Sequence, residues 1–239
     1  MNGRWLLANR DFLVRDLVRD YCTVYSLLAD QRRRFDVDVM DDLETAGLAF
    51  GRLSAQFIRD KVVPELDAFR FASYCGISGV TKKEETLADG AATIAALSAA
   101  VTAMDDEEVT ATGRYLFITP TLLQGINDMD TTKSKKVLEG FEQVIKVPQR
   151  RFYTAIKQLS GKTGEEAGGY TKAAGAANIN FAIVQKDALI QYTKHAAPKI
   201  IAPENNPDAD AYVFGYRMVG IAKAYKNMLS GMYFSHDKA

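Results

Sequence analysis

Residues 41 to 75 carry an apolar stripe that only a long helix can use, and this stripe constrains the fold more than any other feature of the chain. Leu43, Ala46, Phe50, Leu53 and Phe57 follow one another at steps of 3, 4, 3 and 4 residues, which puts them on one helix face. The pattern continues through Val62, Leu66 and Phe69, so the spacing predicts a single helix over 42–74. At about 1.5 Å per residue, some ~30 residues make a rod roughly 45 Å long. Asp41 and Asp42 favour its N-terminus through the macrodipole. Pro64 lacks an amide and crowds the preceding turn, so a bend is expected there, and Gly76 and Gly79 mark the end. A helix of this length is a spine, too extended for a small compact domain to bury entirely.

Other segments alternate between helical and extended periods. Residues 11–29 read as a helix capped by Asp11, with Leu13, Leu17, Tyr21 and Val24 on one face. Arg34–Met40 alternates Phe35, Val37 and Val39 with polar partners, the pattern of a half-buried strand. A second helix is expected over 86–104, with Leu87, Ala91, Ile94, Leu97, Val101 and Met104 aligned. Tyr115–Ile118 reads as a buried strand, Thr119-Pro120 opens a short helix, and 142–147 alternates as a strand. Residues 161–175 form a glycine-rich loop, Asn180–Val184 a buried strand and 186–195 a short helix. After a turn punctuated by Pro198, Pro203 and Pro207, Tyr212, Phe214, Tyr216 and Met218 mark one face of a strand over 211–219, and a last strand covers 229–234. The whole is an α+β pattern in which a central αβαβα stretch is inserted between segments of a peripheral domain. Strands 35–40, 211–219 and 229–234 are expected to share one sheet, with the spine helix covering its apolar face.

No combination of side chains amounts to a catalytic or ligand-binding device, so no catalytic, cofactor-binding or metal residue is assigned. The only histidines are His195 and His236, one expected at a helix end and one three residues from the terminus. Neither sits where a nucleophile and a base would be held in geometry. Ser160-Gly-Lys-Thr163 resembles the end of a phosphate loop, but Ile156 stands where that motif needs its first glycine. Asp105–Glu108, and Asp36 with Asp38, Asp41 and Asp42, lack the glycine and bidentate glutamate spacing of a calcium loop. They read as solvated faces or as charge partners for a neighbouring subunit. Arg32-Arg33-Arg34 fits either a contact to nucleic acid or a neighbour's acids, or a charge block guarding a strand edge. Lys plus Arg is 30 and Asp plus Glu is 30, so the chain has no basic excess with which to live by phosphate contacts. Cys22 and Cys75 lack metal-ligand spacing and read as reduced, buried thiols. No apolar run reaches the ~20 residues of a membrane span, and Trp5–Ala8 is too short for a signal-peptide core, so a chain made and kept in the cytoplasm is expected.

Several stretches, taken in order, resemble one family. Arg34-Phe-Asp-Val-Asp-Val-Met-Asp-Asp42 flowing into the long helix, then Val62-Val-Pro-Glu-Leu-Asp-Ala-Phe-Arg70, is similar to the spine-helix region of tailed-bacteriophage major capsid proteins. Gly113-Arg-Tyr-Leu-Phe-Ile-Thr-Pro120 after an alanine-rich helix resembles the strand that enters their axial domain. Val147–Tyr153, Asn178–Val184, Lys194-His195, Pro198–Pro203, Asp208–Tyr212 and the closing strands fit as well, so the similarity covers about residues 30–239. The resemblance implies the Hong Kong 97-type capsid fold, with residues 35–80 and 198–239 as the peripheral domain and 81–197 as the axial α/β domain. It implies a coat protein with no enzymatic activity and no cofactor. Such a protein assembles as hexamers and pentamers of an icosahedral phage head, with scaffold and portal proteins as partners. The packaged double-stranded DNA is touched only by weak, nonspecific contact, and no membrane is involved. The implied location is the virion, after synthesis in the bacterial host cytoplasm. The N-terminus departs from the family, because residues 1–34 match neither its arm nor its extended loop. The chain is therefore expected to fold but to assemble poorly by itself. A bacterial nanocompartment shell of the same fold, and a small α/β enzyme, are the alternative readings.

Overall fold

A computed structural model of the protein describes residues 34–38, 48–129, 132–159, 169–208 and 210–238. In chain order they form strand β1 (Arg34–Asp38), helix α1 (Leu48–Phe57), a π-helical turn (Ile58–Val62), helix α2 (Val63–Cys75), β2 (Thr81–Glu84), α3 (Gly90–Asp106), β3 (Arg114–Ile118), α4 (Pro120–Asp128), α5 (Thr132–Glu139), β4 (Gln143–Lys146), β5 (Ile156–Leu159), β6 (Gly169–Lys172), β7 (Ile179–Gln185), β8 (Leu189–Ile201), β9 (Ala211–Ala224) and β10 (Met232–His236). The mixed helix and sheet content is the expected α+β class. Two compact units emerge: the described parts of Met1–Asp60, Gln158–Gly169 and Gln191–Ile221 form one, and Lys61–Lys157, Tyr170–Ile190 and Ala222–Ala239 the other. The helix expected over 11–29, and residues 42–47 of the spine, lie outside the described residues.

The larger unit is built on a five-stranded sheet of order β2-β10-β7-β3-β4. Every residue of β7 is buried, as expected for Asn180–Val184, so the strand is covered on both faces. Leu116, Ile118, Phe181, Ile183 and Tyr233 point to one face, where α3 adds Ile94, Leu97, Ala100 and Met104 and α4 adds Leu123 and Ile126. Ala182, Val184, Met232 and Phe234 point to the other, against Tyr74 and Cys75 at the end of α2, Val147 and Phe152. Phe71 of α2 makes edge-to-face contacts with Phe117 at 5.3 Å and Phe152 at 4.7 Å, which aligns the helix over the sheet. Cys75 is free and buried, and burial pushes its thiol up, the reduced apolar role expected of it; Cys22 lies outside the described residues. Helix α3 begins where Asp89 accepts a 2.7 Å hydrogen bond from the Ala92 amide.

In the smaller unit β1 pairs antiparallel with β9, Arg34 opposite Gly215 and Asp38 opposite Ala211. The three-stranded order is β1-β9-β8. Phe50 of α1 lies 5.5 Å from Tyr212 and 6.1 Å from Phe214, and Phe57 lies 6.0 Å from Phe214. The stripe read from the sequence therefore covers the strand face read from the sequence.

Three expectations need correction. Strand β10 does not join β1 and β9; it pairs antiparallel with β7 and parallel with β2 in the other sheet. An alternating strand needs a covered face, but its period does not say whose. The helix expected over 186–195 is a single 3-10 turn, Lys186–Ala188, followed by strand β8. Pairing with β9 decides the matter, aided by the β-favouring Ile190, Tyr192 and Thr193. Near Pro64, where a bend is expected, the spine is irregular: a π-turn, Ile58–Val62, immediately precedes the proline's helix. Pro64 cannot donate to the carbonyl four residues back, and the wider turn upstream absorbs the missing bond. Finally, Gly169–Lys172 of the expected loop is a strand, β6, paired with β5.

Two glycines bring α3 and α4 together. A Cβ on Gly90 would collide with the Gly125 backbone carbonyl, whereas one on Gly125 would sit 3.5 Å from the Gly90 amide nitrogen, an ordinary contact. Gly90→Ala is expected to cost about 1–3 kcal/mol in urea unfolding through overpacking. Gly125→Ala, in mid-helix, is expected to be neutral or stabilising by up to ~1 kcal/mol; equal effects would contradict the close approach. Burial pushes the Tyr74 hydroxyl up to about 12, with Arg70 opposing. Its neutral form therefore contributes stability that is complete below pH 10, the ordinary value, and is lost as pH rises from there toward 12. Unfolding free energy measured across that window should fall less steeply in Tyr74→Phe than in the unaltered protein. Identical slopes would remove Tyr74 as the cause.

Candidate functional site

His195 lies in β8 and His236 at the end of β10, in separate units. The Nδ1 of His236 is 2.8 Å from the Asp237 carbonyl oxygen, so that nitrogen can only donate. Ser160–Thr163, Arg32, Arg33, Asp41 and Asp42 lie outside the described residues; Arg34 and Asp36 are in β1, and Asp38 is exposed. Among the described residues no three His, Cys, Asp or Glu side chains gather as a metal site would require. No described helix is long and apolar enough to cross a membrane.

One of the acidic clusters has a structural task. Helix α3 ends with Asp105 and Asp106 and is followed by Glu107 and Glu108, charges that the helix dipole disfavours at a C-terminus. The Val109 amide bonds back to the Met104 carbonyl at 3.0 Å and the Glu108 amide to Asp105 at 3.0 Å, a Schellman closure. Glu108 takes the left-handed position with φ 55°, where glycine would be unstrained. Arg114, only 2% exposed, locks this turn to the start of β3. Its Nη2 is 2.7 Å from Asp105 Oδ1 and donates to the Val109 carbonyl, and its Nε donates to Thr110 at 3.2 Å. A charged residue at the head of an apolar strand gave no sequence signal that it would be buried; only the four acids and two turn carbonyls nearby could have hinted at it.

A second polar cluster fastens the strand edge. Ser235 is fully buried and donates to Glu85 Oε1 at 2.7 Å, while Lys83 Nζ sits 2.9 Å from Glu85 Oε2. Asn180 Nδ2 donates to the Glu85 carbonyl at 2.9 Å. These bonds hold β2, whose four residues are all exposed, against β10 and β7. On the opposite side of the sheet Arg151 Nη1 reaches Asp67 Oδ2 of α2 at 3.1 Å. Each of these ion pairs ties neighbouring elements together.

No protein-family model matches the chain, and no curated protein does. Solved structures do. A chain of Mycobacterium phage Che8 matches with a TM-score of 0.55 and 12% identity, over 86% of this chain and 69% of its own. The virus-like particle from Pyrococcus furiosus matches at TM-score 0.56 and 10% identity, over 85% of this chain and 74% of the other. The capsid of cyanophage P-SCSP1u matches at 0.51 and 15%, over 86% and 71%. Identities this low speak for fold alone. The chain has the Hong Kong 97-type capsid fold, as the spine and closing strands led one to expect.

Arg114→Ala leaves the carbonyls of the α3 turn without their donor and should cost about 1–3 kcal/mol of unfolding free energy. Arg114→Lys should recover little of this, because one ammonium cannot span three acceptors held apart. Glu108→Gly relieves the left-handed strain and should raise stability by about 0.5–1 kcal/mol. A neutral Arg114→Ala would show that the buried guanidinium does not hold the turn.

Proposed function

We propose that this chain is a shell-forming structural protein: the major capsid protein of a tailed phage, tiling an icosahedral head of hexamers and pentamers around double-stranded DNA. The observation that carries this reading is the fold itself, matched over 86% of the chain by the cyanophage capsid. A coat protein works by repeated association. Each contact is modest, and closed symmetry multiplies it over many copies. Every ~1.4 kcal/mol lost per interface weakens association about tenfold, so small changes at a contact decide whether shells form. On this reading scaffold and portal proteins are its partners, DNA is touched weakly, and the protein resides in the virion. On this reading the role is structural and not enzymatic, in keeping with the capsid fold. A nanocompartment shell is the second reading, favoured by the match to the Pyrococcus furiosus virus-like particle.

Sedimentation velocity and negative-stain microscopy of the purified protein test the proposal. Uniform closed shells are expected. Small, discrete oligomers alone would contradict a shell function. Shells that protect no DNA from nuclease after growth with phage packaging proteins would favour the nanocompartment.

A further inference from the structure

We draw no further inference here: the strongest candidate, the exposed acidic turn Asp106–Glu108 that follows Asp105 at the end of α3, is a side-chain cluster whose bonds and backbone strain are accounted for by the Arg114 lock, and nothing in the structure shows what would meet it.

Discussion

The burial of β7 on both faces is the constraint on which the larger unit depends. All seven residues from Ile179 to Gln185 are buried, so each face of this strand needs its own cover. One cover is the helical layer of α3 and α4, seated on Phe181 and Ile183; the other is the end of the spine with Phe152 and Phe71, seated on Ala182 and Val184. Antiparallel β3 and β10 flank the strand and saturate its backbone. The remaining strands are then edges, and the molecule guards them with charge and brevity: β2 is Thr-Lys-Lys-Glu and β4 has four residues ending in Lys146.

What was legible in the sequence is whatever burial writes as a period. Phe50 and Phe57 announced a helix face, Tyr212 and Phe214 a strand face, and the two do meet. The run Asn180–Val184 announced a buried strand. Pairing partners were not legible, because hydrogen-bonded neighbours leave no mark on composition. Strand β10 was recognisable as a strand, yet its parallel mate Thr81–Glu84 is wholly exposed and carries no apolar signal at all. The same holds for β8, where pairing with β9 overrides a locally plausible helix. The π-turn before Pro64 follows from the proline, but which turn would absorb the lost bond is a matter of the whole helix.

Polar side chains fared differently from apolar ones. Arg114, Glu85 and Ser235 carry no periodic signal, yet they are the struts of the strand ends: Arg114 and Ser235 are buried, Glu85 is half-buried, and each meets a partner. Hydrogen-bonded clusters of this kind specify geometry. The apolar packing of the larger unit is concentrated on the two faces of one sheet.

Native-state amide hydrogen exchange tests the central claim, that β7 with β3 and β10 is the last part of the larger unit to open. The amides of Phe181–Val184 and Tyr233–Ser235 should exchange slowest, at the rate set by global unfolding, and those of the exposed β2 roughly tenfold or more faster. If the β10 amides exchange as fast as those of β2, the C-terminal strand is not part of the sheet core, and this description of the fold is wrong.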